Sequence, residues 1–130
     1  MNNISDLGNE LANSGLNDHA IKWNKFIENV CFKKLPELTQ RQKSAVLAFW
    51  YDAEMNSGGH SGYFDCYSDV NPDELVWALK EIGGEQYINN YLEALKDGMK
   101  DGFLKTDNYF YSSKPQLTDL VMKYVMKYSL

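Results

Sequence analysis

Four side chains that could support acid–base or nucleophilic chemistry lie close together in the middle of the sequence: Glu54, His60, Asp65 and Cys66. A carboxylate next to an imidazole can provide a general base, and a thiolate can act as a nucleophile. In the sequence around Cys66, His60 is the one group that could lower the thiol pKa. An enzyme that uses these four groups is one hypothesis. The simpler alternative is that His60 caps or packs at a helix start.

No other motif in the sequence indicates a catalytic or metal-binding site. The chain contains no phosphate-binding glycine loop, no HExxH motif and no paired-cysteine motif. The stretch Asp69-x-Asn71-x-Asp73 begins like a calcium loop, but its sixth position is Glu74 instead of Gly and its twelfth is Lys80 instead of Glu. We therefore expect no metal and no cofactor, and we assign Asn71 and Asp73 to a helix start.

The reactive cluster follows a dense apolar and aromatic run, which predicts a central helix over about 40–57. Thr39 and Gln42 form a capping box at its start, and the pair Gly58-Gly59 ends it. Apolar residues occupy most sides of this helix, which places it in the middle of a core: Val46, Leu47, Phe49, Trp50 and Ala53.

Further helices are predicted from apolar spacing and from start and stop signals. The segment 103–112 is aromatic and irregular, which predicts a loop or a short strand, and Ser113-x-x-Gln116 predicts a capping box for the last helix. No alternating pattern is long enough for a sheet. We predict an all-α fold of five or six helices around the central helix, the others over about 17–32, 60–67, 72–82, 85–100 and 117–128.

With 130 residues, the chain is expected to form one domain over 16–130, preceded by a polar arm at 1–15. The N-terminus lacks the pattern of a signal peptide, and no stretch has the roughly 20 apolar residues that span a bilayer. Cys31 and Cys66 have no ligand spacing, which predicts reduced, buried thiols. These features predict a cytoplasmic protein.

The net charge of −5 is unevenly distributed. Residues 44–101 carry eleven acids and three lysines, whereas the regions on either side are slightly basic. Such a domain repels nucleic acid and attracts basic proteins; a merely solubilising surface is the alternative. The residues predicted to form the acidic, partner-binding surface are Asp69, Asp73, Glu74, Glu81, Glu85, Glu93, Asp97 and Asp101.

Three stretches resemble a bacterial family that was first catalogued as a domain of unknown function and later named after a DNA-mimic protein. They are AFWYDAEMNSGGHSGYF, NPDELVWALKEIGGEQYINNYLEAL and LKTDNYFY, and together the resemblance covers roughly 40–128. Six residues of the first stretch match the family motif, and we interpret them as determinants of the fold: Asn56, Gly58, Gly59, His60, Tyr63 and Phe64.

The resemblance implies an all-α and often dimeric protein whose acidic surface imitates the phosphates of duplex DNA and occupies a DNA-binding protein. The leading hypothesis is therefore a non-enzymatic interaction domain that binds a basic protein, without direct nucleic-acid or membrane binding. The alternatives are an immunity or antitoxin-type protein that neutralises a toxin, the enzyme outlined above, and a small structural module.

Overall fold

The computed structural model describes residues 17–130, so the predicted polar arm at 1–15 lies outside the described residues. The described chain is all-α and contains no strand, which confirms the predicted fold class. Its seven α-helices exceed the predicted five or six. They are α1 (Asn17–Asn29), α2 (Gln40–Met55), α3 (Gly59–Cys66), α4 (Pro72–Glu81), α5 (Glu85–Asp97), α6 (Leu104–Ser112) and α7 (Leu117–Tyr128), with 3-10 turns at Leu35–Glu37 and Gly98–Asp101.

Helix α2 lies at the centre of the core, as predicted, and packs against α3, α4 and α7. Its capping box is present: the Gln42 N–H donates to Thr39 Oγ1 at 3.2 Å, and the Thr39 N–H donates to Gln42 Oε1 at 3.0 Å. Ala53 is exposed, contrary to expectation, because it lies on the one side of α2 that faces solvent. The buried side chains of α2 are Ser44, Ala45, Val46, Leu47, Ala48, Tyr51, Asp52 and Met55.

Helices α4 and α5 form a packed pair joined by a short glycine turn. The Asp73 N–H donates to Asn71 Oδ1 at 2.9 Å, which confirms the predicted start of α4. Gly83 has a φ of +84°, a conformation that favours glycine. The pair buries one face toward α2 and the other helices, through Leu75, Ala78, Leu79, Tyr87, Asn90, Tyr91 and Ala94.

The prediction of a loop or strand for 103–112 is wrong, because this segment forms α6. Its start is unusual, since Gly102 and Phe103 both have left-handed backbone conformations, with φ of +63° and +64°. Thr106 and Phe110 are buried one turn apart, and the Phe110 ring packs edge-on against Tyr51 at a centroid distance of 5.6 Å. Tertiary packing of this narrow face therefore stabilises the helix.

The predicted capping box at Ser113-x-x-Gln116 is also wrong. Ser113 ends α6 instead, and its hydroxyl donates to the Tyr109 carbonyl at 2.6 Å. Gln116 is the residue that precedes α7, and it makes no side-chain capping bond. Helix α7 then packs against α2 and α1.

Two further predictions about burial are corrected. Cys31 is buried as expected, and burial raises its pKa to about 12, but Cys66 is exposed at the end of α3. The position of Trp23, Trp50 and Trp77 on predicted helices predicts core side chains. Trp77 is instead 39% exposed on α4, whereas Trp23 and Trp50 pack against the core and are partly buried.

Candidate functional site

Three polar side chains from three helices form a hydrogen-bonded group, which we call the triad: Tyr51 and His60, which are fully buried, and Asp107, whose side chain is 24% exposed. The Tyr51 hydroxyl lies 2.6 Å from His60 Nε2, and Asp107 Oδ1 lies 2.7 Å from His60 Nδ1. The His60 backbone N–H also donates to Asp107 Oδ1, at 3.0 Å. The triad therefore connects α2, α3 and α6.

The chemistry of the partners assigns the protons in the triad. A carboxylate only accepts, so His60 Nδ1 carries a hydrogen and Nε2 accepts from the Tyr51 hydroxyl. Burial lowers the pKa of His60, although the hydrogen bond and charge of Asp107 act in the opposite direction. Burial also raises the pKa of Tyr51 well above its usual range. The imidazole and the phenol are therefore both neutral near pH 7.

Glycine is required beside the triad. Gly59 has a φ of +67°, and a Cβ atom at this position would lie 2.5 Å from Asp107 Oδ2. The missing side chain lets the carboxylate approach the first turn of α3, where it meets the His60 N–H. Contrary to the prediction, the pair does not end α2, which stops at Met55; Gly58 and Gly59 begin α3 instead, and Gly59 makes room for Asp107.

Aromatic rings cover the triad. The rings of Phe64 and Phe103 stack on the imidazole, with centroid distances of 6.0 Å and 6.2 Å from that of His60. Tyr63 packs edge-on against Tyr51 at 5.0 Å. His60 is 0% exposed as a result. The arrangement excludes water and leaves no space for a substrate at the imidazole.

A second buried polar group lies further along α2. Asp52 is 6% exposed, and it accepts hydrogen bonds from Thr118 Oγ1 at 2.5 Å and from Asn56 Nδ2 at 3.2 Å. Burial raises the Asp52 pKa, whereas these two hydrogen bonds act to lower it. The adjacent cavity has a volume of about 70 Å³. It is too small for a typical organic substrate, whose pockets measure about 300–1,000 Å³.

The structure does not assemble the proposed enzyme cluster around His60. Both ring nitrogens of His60 bond to Tyr51 and Asp107. Asp65 and Cys66 are exposed at the far end of α3. The Glu54 carboxylate lies over α3, where a Cβ atom at Gly62 would come within 2.6 Å of it. In the described part of the chain, no three His, Cys, Asp or Glu side chains are grouped so that they could hold a metal.

The motif residues lie around these buried groups. Asn56 follows α2 and donates its amide to the Asp52 carbonyl at 2.8 Å. Gly58 precedes α3, and a Cβ atom there would lie 3.0 Å from Glu54 Oε1. With the roles described above for Gly59, His60, Tyr63 and Phe64, each motif residue contributes to helix ends or core packing.

The eight acids of the predicted acidic surface lie on α4, α5 and the turns that flank them. Six of them are exposed. The other two are partly buried and paired: Glu74 with Lys43 and Asp97 with Lys100, both at 3.0 Å. The exposed six are Asp69, Asp73, Glu81, Glu85, Glu93 and Asp101.

Three of the eight predicted acids lie close together in the fold. Glu93, Asp97 and Asp101 line one shallow groove, which also contains Lys100 and Lys105. The Asp101 carboxylate additionally accepts from the Lys105 backbone N–H at 3.0 Å, at the start of α6. Glu81, in contrast, lines a different depression together with the lysines of α7.

The sequence analysis identifies His60 but not the two residues that hydrogen-bond to it. In the sequence, Tyr51 is only one member of an apolar run, and Asp107 lies in a segment predicted to be irregular. The segment LKTDNYFY carries part of the family resemblance and contains Asp107, so it could have pointed to Asp107 as a site residue. Nothing in the sequence indicates that Thr118 hydrogen-bonds to Asp52.

Together, these features define the class of protein: a small all-α domain with hydrogen-bonded polar groups inside an apolar core and an acidic pair of helices on its surface. A protein-family model described as DMP19-like protein matches residues 36–128. The chain therefore belongs to the DMP19-like protein family, which confirms the resemblance to DNA-mimic proteins.

No curated protein and no solved structure gives a significant match to this chain. None of the helices within residues 17–130 is long and apolar enough to cross a membrane.

Proposed function

We propose that this chain is a non-enzymatic, cytoplasmic interaction protein whose acidic surface occupies the DNA-binding face of a basic protein. The observation that carries the proposal is the exposure of six of the eight predicted acids along α4, α5 and their flanking turns. Membership of the DMP19-like family supports the same function.

The spacing of the acids on α5 is compatible with such mimicry. Glu93 and Asp97 are four residues apart, a rise of about 6 Å along a helix. Duplex DNA also presents a regular series of negative charges along its axis, so a row of carboxylates along a helix offers a comparable pattern to a basic surface. Lys and Arg side chains of a DNA-binding protein would contact these carboxylates in place of phosphates.

Charge reversal tests this proposal. Immobilised chain is first used to capture a partner from the source organism's lysate, and mass spectrometry identifies what high salt releases. We expect a DNA-binding protein whose duplex competes with this chain. The triple variant Asp69→Lys, Glu85→Lys, Glu93→Lys should weaken binding at least 100-fold, since it places three cations opposite a basic surface.

The control reverses the same number of exposed acids away from the acidic surface: Glu28→Lys, Glu37→Lys, Asp119→Lys. Its net charge equals that of the first variant, so net charge alone predicts equal losses, whereas a localised site predicts near-normal binding by the control. Equal losses would contradict the proposal. A single partner that resists high salt and is not displaced by DNA would indicate the immunity-type alternative.

The apolar outer side of α5 and the turn after it supports a homodimer. Leu92, Leu95 and Met99 are 42%, 46% and 84% exposed, at helical spacing. Exposed apolar patches of this kind mark interaction sites. We expect light scattering to give twice the 15.0 kDa chain mass for the wild type, and the monomer mass for Leu95→Ser/Met99→Ser.

The matched control for the dimer is Leu104→Ser, which removes another exposed leucine, on α6. It should leave the mass at the dimer value. A wild-type chain that stays monomeric at all concentrations, or a control that dissociates equally, would refute dimerisation through α5.

A further inference from the structure

One large aromatic side chain of α4 lies on the side of the helix that faces away from the core. The buried side chains of α4 are Leu75, Ala78 and Leu79. Trp77 is two positions from both leucines, which places it about 200° around the helix from them. It is 39% exposed. The amphipathic pattern of α4 therefore does not require an apolar residue at this position.

The Trp77 ring has no aromatic or cationic partner within residues 17–130. Trp23 and Trp50, in contrast, stack on Phe26 and Tyr67, each with a centroid distance of 5.5 Å. The cation–π contacts of the described residues are made on the Tyr128 ring. The exposed part of the Trp77 ring is therefore open to a side chain from another molecule.

Two acids of the predicted partner-binding surface flank Trp77. Asp73 lies about one turn before it on α4, and Glu81 lies about one turn after it. Both side chains are exposed, and neither belongs to an ion pair within residues 17–130. An exposed ring between unpaired carboxylates fits a cation from a basic partner.

The cations close to these acids are fewer. Lys43 is paired with Glu74 at 3.0 Å, so this pair adds little net charge. Lys80 is exposed three positions after Trp77. Glu81 lines a depression that also contains Lys123 and Lys127, whereas Asp73, two turns away at the other end of α4, does not line it. Asp73 is therefore the acid best placed to act together with the ring.

We propose that Trp77 anchors the basic partner by stacking on an arginine side chain whose guanidinium hydrogen-bonds to Asp73. A guanidinium is flat, so it can stack on an indole ring and still donate two hydrogen bonds to a carboxylate, whereas the lysine ammonium has no flat face. Residues four apart are neighbours on a helix surface, so one arginine can touch both side chains. The inference rests on the proposed function and adds to it a preference for arginine over lysine.

Two probe peptides of equal charge test this preference on the full chain. Each has acetylated and amidated ends, and they consist of four Arg-Gly or four Lys-Gly repeats. Backbone-amide NMR shifts on α4, at low salt, measure the two affinities. The arginine peptide should bind at least about threefold more tightly, and should shift the indole N–H signal of Trp77 but not those of Trp23 and Trp50. Equal affinities, or an unmoved Trp77 signal, would overturn the inference.

Trp77→Leu keeps an apolar side chain but removes the aromatic face. The ratio of the two affinities should fall to about one in this variant, while the lysine peptide binds as before. Asp73→Asn should weaken the arginine peptide, whereas the control Asp119→Asn, at an exposed acid of α7, should not. An arginine preference that survives Trp77→Leu would place the guanidinium elsewhere and refute the inference.

The charge-reversal variant described above leaves Asp73 and Trp77 in place, so the two proposals can fail separately. Partner binding that depends on Asp69, Glu85 and Glu93, without an arginine preference in the peptide titrations, would refute the role of Trp77 and leave the proposed function standing. An arginine preference that depends on Trp77, without a captured basic partner, would support the role of Trp77 and count against the proposed function.

Discussion

Replacement of His60 by Phe is expected to lower the free energy of unfolding by about 3 kcal/mol. Phe is larger than the imidazole, so the loss combines overpacking of a fully buried site with two lost hydrogen bonds, to Tyr51 and Asp107. Because Tyr51 is fully buried, its hydroxyl has no water to replace the lost partner. Urea unfolding followed by circular dichroism measures the loss.

A second substitution makes this result specific to the triad. In the wild type, Tyr51→Phe should destabilise the protein because it leaves His60 Nε2 without a donor. In the His60→Phe background, the same change should be neutral or stabilising, because it removes an unpaired hydroxyl. Tyr109→Phe, at a tyrosine that is 48% exposed, should change little in either background. An equal effect of Tyr51→Phe in both backgrounds would contradict the assigned hydrogen bonds.

The wild type and His60→Phe should also differ in pH dependence. Since burial lowers the pKa of His60 from its ordinary value of 6.5, the unfolded chain takes up this proton first as the pH falls. The contribution of His60 is therefore fully present above pH 6.5 and is lost progressively below it. The difference in stability between the wild type and His60→Phe should shrink from pH 7 to pH 5. Asp52 titrates in both proteins and does not affect this difference, whereas a constant difference would be evidence against a neutral imidazole.

The second large effect is expected for Gly59→Ala, which should lower the free energy of unfolding by about 3 kcal/mol. Part of this is the cost of a left-handed backbone for a residue with a Cβ atom, about 1–2 kcal/mol. The rest comes from the Asp107 carboxylate, because the new Cβ atom would lie 2.5 Å from its Oδ2 atom. Urea unfolding again provides the measurement.

Gly102→Ala separates the two contributions. Gly102 has a φ of +63°, close to the +67° of Gly59, but a Cβ atom added there would meet nothing within 4 Å beyond its chain neighbours. It should therefore show only the backbone cost. Asp107→Ala should also make Gly59→Ala less harmful, since the clash disappears. If Gly59→Ala and Gly102→Ala lose equal stability, the close approach of Asp107 to Gly59 does not contribute to the loss.

Local sequence signals predicted the helices whose ends are set by local chemistry. Thr39 and Gln42 form the capping box, and Asn71 caps α4, because these bonds need only neighbouring residues. The α6 segment had no such signal, since its helix depends on burying Thr106 and Phe110 against the rest of the core. Its aromatic residues suit a strand or a loop equally well.

The candidate site was only partly predictable for the same reason. His60 was identified, and its interpretation as a packing residue agrees with its 0% exposure. Its bonds to Tyr51 and Asp107, however, depend on how three helices pack, which no local pattern specifies. The acids on α4 and α5 were predicted from the uneven charge of the middle of the chain, and six of the eight predicted acids are exposed.

The distance along the chain between His60 and Asp107 has a consequence for biosynthesis. The two residues are 47 positions apart. At a synthesis rate of about 5–20 residues per second, the ribosome makes Asp107 about 2–9 seconds after His60. During that interval the nascent chain contains the residues of α2 and of the glycine turn, but it lacks the carboxylate that joins them to α6 in the folded protein. A ribosome that stalls before this point therefore leaves a core that is open at its centre, with aromatic side chains accessible to chaperones and proteases.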